Sequence, residues 1–249
     1  INLNSAEQLN SAALYSLDDS GFKMLYYCEL DKTVKSICEP VVSTLSSGKT
    51  AVYIDETKGI GAVTEVLFVD KNGLVNPLLN FESRETVATL RASGYGVMDI
   101  NGDGIAEIPV QESVPSVIRP DSGDKLYLLN WCSYPGEPLT KQVPALMNDS
   151  DGYYYILSSK WSGQIAVLRD SAAQLREIYS YDNASDAVGE MLISFKTVKK
   201  SDWDKGEYKK SGYAEITHDG VSSYICKIGS AADDELTLES VRKSFKLLY

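Results

Sequence analysis

The chain has 249 residues, enough for two ordinary domains, and 43% hydrophobic with 24% charged residues is the composition of a folded globular protein. Lys and Arg number 24 against 35 Asp and Glu, a formal net charge of -11 with no basic stripe, which argues against nucleic acid and anionic lipid as partners. No apolar run is long enough to span a membrane, and the four cysteines, Cys28, Cys38, Cys132 and Cys226, show no CxxC spacing for zinc or redox chemistry.

The opening residues, Ile1 to Leu9, are polar and lack the apolar core of a signal peptide. A chain that starts at Ile1 implies a preceding leader, lipid-anchor segment or N-terminal domain, so the expectation is an extracellular, lipoprotein-like, surface-anchored protein. Short β-branched or aromatic runs then alternate with turn residues: AALYSL, FKMLYYCEL, TAVYI, TEVLFV, LVNPLL, TVATLR, EIPVQ and KLYLLNW. Each reads as a strand. Asp18-Asp19-Ser20-Gly21 and Asp70-Lys71-Asn72-Gly73 fall between such runs and read as hairpin loops of an antiparallel unit. Cys28 and Cys38 could bridge if their strands pair, but in a chain of this length both are expected as buried thiols.

Two stretches resemble each other. Tyr53-Ile54-Asp55 followed by Thr64-Glu65-Val66-Leu67 matches Val97-Met98-Asp99 followed by Ala106-Glu107-Ile108-Pro109. A period of about 42–44 residues suits a four-stranded blade.

Residues 99 to 107 read Asp-Ile-Asn-Gly-Asp-Gly-Ile-Ala-Glu. Asp99, Asn101, Asp103 and Glu107 place oxygen side chains at alternating loop positions, Ile105 offers its carbonyl, and Gly104 permits the bend. Ca²⁺ takes roughly 6–8 oxygens at about 2.3–2.6 Å, so a tight loop must turn several carboxylates and a carbonyl inward. The pattern argues against an EF-hand: Val110 stands where its bidentate Glu belongs, and β runs flank the loop. The pattern resembles the calcium loops of FG-GAP or VCBS-type repeats, over about residues 50–134. That resemblance implies propeller-blade-like antiparallel repeats, one structural Ca²⁺ and a surface-protein context. In the earlier copy Asp55 is followed by Glu56-Thr57-Lys58-Gly59, which loses the ligand spacing, and no metal is expected there.

All eight prolines lie at or before Pro144, which places a boundary there: a mainly β domain over 1–144 and an α+β sandwich domain over 145–249. Ser133 to Pro144 reads as an extended connector, and Asn148-Asp149-Ser150-Asp151-Gly152 as the turn opening the next unit. Beyond it YYYIL, QIAVL, REIYSY, MLISFKTV, YAEITH and SSYICKI read as strands. The chain is expected to end in a helix with Leu238, Val241, Phe245 and Leu248 on one face, Thr237 as N-cap, and Asp233, Asp234 and Glu235 near its positive end. The Tyr153 to Ile156 strand, Trp161 and a closing helix with Val241, Ser244 and Phe245 resemble the α/β sandwich of PsbP-type domains in exported lipoproteins. That resemblance implies architecture only.

Enzyme signatures are thin. His218, the one histidine, sits in a Thr-His-Asp-Gly turn with no GxSxG elbow. Ser47-Gly48-Lys49-Thr50 lacks the earlier glycine of a phosphate loop, Ser43 standing in its place, and Ser46-x-x-Lys49 and Ser240-x-x-Lys243 match serine/lysine spacing by coincidence. Trp131, Tyr134, Trp161 and Trp203 could stack on sugars, with partial burial as the alternative. The reading is a non-enzymatic surface module that binds a protein or glycan and holds one Ca²⁺. The alternative is an envelope-polymer hydrolase with two carboxylates about 5–10 Å apart in a wide cleft, one with its pKa raised.

Overall fold

A computed structural model describes residues 1–4, 7, 9–112, 114, 116–117, 126–134, 139–148, 150–170, 175–230, 232 and 234–248. The chain divides into two compact units, one made of Ile1–Gln111 and Asn130–Val143, the other of Glu112–Leu129 and Pro144–Tyr249. Both are mostly β.

The first unit opens with a two-stranded ribbon, β1 (Ser11–Asp18) and β2 (Gly21–Glu29). Its turn is set by Asp18, whose carboxylate accepts from the Ser20 N–H at 2.8 Å, and by Gly21 at φ 110°. Short β3 (Ser36–Ile37) and β4 (Val41–Thr44) lead to the long hairpin of β5 (Thr50–Lys58) and β6 (Gly61–Asp70), which both of them and β7 (Gly73–Val75) and β8 (Arg91–Ala92) flank. β9 (Ile108–Glu112) follows.

The β5–β6 hairpin is covered on both faces. Its register pairs Tyr53 with Val66 and Asp55 with Thr64 on one face, and Ile54 with Glu65 and Glu56 with Val63 on the other. The first face packs Tyr53, Ala51 and Val66 against Leu45, Val97, Ala106, Ile108 and Tyr134. The second packs Ile54 and Leu67 against Ala12 and Leu30. A strand buried on both sides cannot keep its polar residues in water, so the alternation of TEVLFV drives Thr64 and Glu65 inward on opposite faces.

Two expected strands are cut short. LVNPLL contributes only Leu74 and Val75 to β7, because Pro77 has no N–H for the ladder. TVATLR is irregular up to Leu90, with a turn at Ala88 and Thr89 and only Arg91 in a strand. Here a side chain replaces the ladder: the Thr89 hydroxyl accepts from the Thr64 N–H at 2.8 Å and donates to the Thr64 carbonyl at 2.9 Å.

β10 (Ser116–Val117), β11 (Leu126–Ser133), β12 (Thr140–Asn148) and β13 (Tyr153–Ile156) come next, β11 and β12 giving residues to both units. The expected connector is therefore strand at Ser133 and from Thr140 to Pro144, while 135–138 lie outside the described residues. In the 148–152 turn Asp149 also lies outside them; the Asn148 amide donates to Asp151 at 2.8 Å and Gly152 takes φ 69°.

The second unit continues with β14 (Ile165–Asp170), β15 (Leu175–Asp182), β16 (Ala187–Lys199), two short helices α1 (Lys200–Asp204) and α2 (Glu207–Lys210), β17 (Ala214–His218), β18 (Ser222–Ile228), α3 (Leu238–Ser244) and β19 (Phe245–Leu247). Six strands run in the order β10-β14-β15-β16-β18-β17, and β13 pairs with β12 on one side and β19 on the other. Between them Tyr153, Tyr155, Phe195, Tyr224 and Phe245 form an aromatic core, with Tyr153 stacked on Phe245 at 4.6 Å.

Thr237 is the N-cap of α3, in a capping box with Ser240. The closing helix is shorter than its periodicity predicts. It ends at Ser244, and Phe245–Leu247 pairs with Tyr153–Tyr155 as a strand, because the open edge of β13 supplies hydrogen bonds while Phe245 still reaches the core. Asp233 lies outside the described residues.

Candidate functional site

The 99–107 loop is closed at its base by an antiparallel bridge between Met98 and Glu107, and Ile105 forms a parallel bridge with Thr44 of β4. The bend needs glycine: Gly102 and Gly104 take φ of 82° and 87°. Asp99 organises the turn. One of its oxygens accepts from the Gly102 and Asp103 N–H groups at 2.7 and 3.0 Å, the other from Gly104 at 2.8 Å. These donors, Gly104 foremost, hold its carboxyl below the ordinary range.

Asp99, Asp103 and Glu107 bring one carboxylate oxygen each within 4.8 Å of one another. Glu107 is buried behind the two exposed aspartates. Burial first, then the charges of Asp103 and Asp99, push its pKa up to about 7 against the opposing Ile100 N–H. Asn101 lies among them, but its amide N–H faces Asp103 and Glu107, each at 3.1 Å, while its oxygen accepts from the Asp103 N–H at 2.9 Å. The donor set is all oxygen and suits a hard cation, with one adjustment: the Asn101 amide must turn its N–H away. Ile105 is tied through its bridge to Thr44.

The matching aspartate in the earlier copy has a different partner. Asp55 accepts from the Arg91 guanidinium at 2.6 Å and from the Thr64 hydroxyl at 2.5 Å, and its other oxygen takes the Val97 N–H at 2.7 Å. Lys58 of that copy serves Asp31 at 2.7 Å and Glu85 at 2.9 Å. Asp31 is fully buried, which alone would push its carboxyl up, but Lys58, Thr33 and Thr86 donate to it and hold it low.

The second face of the hairpin carries a group that sequence reasoning missed. Glu56 and Glu65 are 1% and 0% exposed. Glu65 accepts from the Asp31 N–H, the Asn76 amide and the Thr86 hydroxyl. No donor reaches either Glu56 oxygen. Burial, followed by the charge of Glu65, pushes the Glu56 carboxyl up to about 10, so it is held protonated, with Glu65 as the acceptor for its O–H.

The other candidates resolve into structure. Trp131, Tyr134, Trp161 and Trp203 are all buried, so none is a sugar platform. His218 is an exposed strand end paired across from Ser223. The Ser240 hydroxyl serves the α3 cap, and Ser46 to Lys49 is a surface turn. Cys28, half-buried, and Cys38, exposed instead of buried, both carry free thiols, so the two do not bridge. In the first unit Leu78, Phe81, Val87, Val110, Tyr134 and Leu139 line an apolar cleft of about 670 Å³. Among the described residues no helix is long and apolar enough to cross a membrane.

Comparison with family models, curated proteins and solved structures gives no match.

Proposed function

We propose that the chain is a non-enzymatic, extracellular binding module for a protein or glycan partner, with one structural Ca²⁺ held by the 99–107 loop. The convergence of Asp99, Asp103 and Glu107 on a glycine-bent turn carries this reading. Three carboxylates repel one another and favour a divalent cation among them. The earlier copy supports it, since its Asp55 is neutralised by Arg91. Asp99, Asp103 and Glu107 would be the carboxylate ligands, Asn101 and the Ile105 carbonyl completing the set; the cation's part is to fix the loop. An exposed loop without a twelfth-position Glu suits the weak affinities of extracellular calcium modules, roughly 10⁻⁴–10⁻³ M. The propeller-blade likeness of the first unit, the PsbP-type sandwich likeness of the second and a lipoprotein anchor belong to the same reading. The apolar cleft, to which Val110 of β9 contributes, offers a partner a concave surface.

A hydrolase is less well supported. Glu56 and Glu65 are a carboxyl pair with one member raised, but they are sealed from any polymer.

Unfolding with Ca²⁺ and with chelator tests the proposal. At a hundred times its dissociation constant Ca²⁺ should add about 2.7 kcal/mol, and Asp103→Asn should remove most of that gain. Identical curves for the unmodified chain would refute it.

A further inference from the structure

The β1–β2 ribbon has two unlike faces. Its register puts Ala12 opposite Cys28 and Leu14 opposite Tyr26 on one side. That side is covered at its base, where Ala12 and Cys28 pack on Leu30 and Ile54; further out the Tyr26 ring lies over Gly73 of β7, and Leu14 and Tyr26 stay 37% and 43% exposed. On the other side Tyr15 faces Met24 and Leu17 faces Phe22, with Tyr27 beyond the bulge between Leu14 and Tyr15. These five are 52% to 79% exposed. No charged residue interrupts the stripe; Asp18 and Asp19 stand at the ribbon's tip and Lys23 on the opposite face.

An apolar stripe this continuous is rare on a surface that meets only water. Side chains of this kind bury about 150–250 Å² each, so at these exposures five of them offer roughly 600 Å². Two such faces together would bury about 1,200 Å², the lower end of the range for specific protein interfaces.

We propose that this face is the two-fold interface of a homodimer. A two-stranded ribbon is marginal on its own, and a second copy of the same face is the partner whose shape and apolarity match it without further assumption. Under a two-fold axis the Leu17–Phe22 and Tyr15–Met24 pairs interdigitate with their own copies, as the inner faces of a sandwich do. The acidic tip and the net charge of -11 disfavour an anionic membrane as the occupant.

Sedimentation of the whole chain over roughly 1–100 µM tests this, a span covering the affinities expected of a small apolar interface. The unmodified chain should double its mass from 27.3 kDa. Leu17→Lys with Phe22→Lys should weaken association at least tenfold, with a melting temperature equal to that of the unmodified chain at dilutions where both are monomeric, since both residues are exposed. Val221→Lys, at an exposed valine in the second unit, should leave the dimer intact. Should the double variant misfold, Tyr15→Ser with Tyr27→Ser serves in its place. A chain that stays monomeric throughout overturns the proposal, including one that floats with neutral or anionic vesicles as a monomer. A dimer that survives both pairs of substitutions overturns it equally.

Discussion

Glu56→Gln should stabilise the protein at neutral and alkaline pH. In the folded chain the Glu56 carboxyl is raised from an ordinary 4.5 to about 10, chiefly by burial. Because the folded value lies above the unfolded one, stability is fully present below pH 4.5 and is lost as pH rises towards 10: the unfolded chain ionises freely while the folded chain must keep its proton. Each pH unit in that window costs about 1.4 kcal/mol, so by pH 8 the loss is on the order of 5 kcal/mol. Glutamine keeps the volume and offers Glu65 an N–H in place of the acid's O–H, and it does not titrate. Urea unfolding at pH 5, 6.5 and 8 should therefore show a gap that opens with pH, from about 1 kcal/mol to several in favour of the variant. Parallel pH dependences for the two chains would show that Glu56 is not held neutral and would refute the assignment.

Three further outcomes follow from the same geometry. Arg91→Met leaves Asp55 facing the interior without its cation and should cost about 3–5 kcal/mol in urea unfolding, partly restored by adding Asp55→Asn; a loss under about 1 kcal/mol would mean that Asp55 has water for a partner. Asn101→Asp replaces an N–H donor between Asp103 and Glu107 with a fourth carboxylate, so calorimetry should show tighter Ca²⁺ binding while the chelated protein loses about 1 kcal/mol; unchanged affinity would count against the loop as a cation site. Phe245→Ala empties the stack on Tyr153 and should cost about 3–5 kcal/mol, read from the near-ultraviolet signal of the aromatic core as it melts.

Strands were legible where β-branched and aromatic residues cluster, as in TAVYI, TEVLFV and MLISFKTV, because those residues fit a pleated surface whatever covers it. TVATLR has the same composition and is irregular up to Leu90: its threonines spend their hydroxyls on Thr64 and Glu65, a use that composition does not reveal. The closing segment misled for a related reason. Val241 and Phe245 are both buried, as helical spacing requires, but the open edge of β13 is formed some 90 residues earlier and is invisible in the local periodicity. The loop chemistry was written locally, so Asp99, Asp103 and Glu107 could be picked out together. Glu56 and Glu65 could not. Their burial depends on the base of the β1–β2 ribbon and on Asn76, Thr86 and the residues near them, which come from distant parts of the chain.

Asp55 and Asp99 occupy matching places after matching strands, and the contrast between them gives the calcium reading its physical content. Asp55 is closed off: a guanidinium reaches it, a hydroxyl and a backbone N–H complete its shell, and its environment is fixed when the chain folds. Asp99 takes its hydrogen bonds from its own turn and shares the loop with two more carboxylates, which accept neutral N–H groups of Asn101, Ile100 and Ile105 in place of a cation. A covalently supplied cation neutralises its partner under every condition, whereas an exchangeable one does so only where the ion is plentiful. Under this reading the order of residues 99–107, and through Glu107 the start of β9 with its cleft-lining Val110, follows the calcium concentration outside the cell, while the half of the unit held by Arg91 does not. Amide exchange would separate the two: chelation should speed exchange at Gly102, Asp103 and Gly104 and leave Thr64 and Val97 untouched, and equal acceleration at both places would contradict the division.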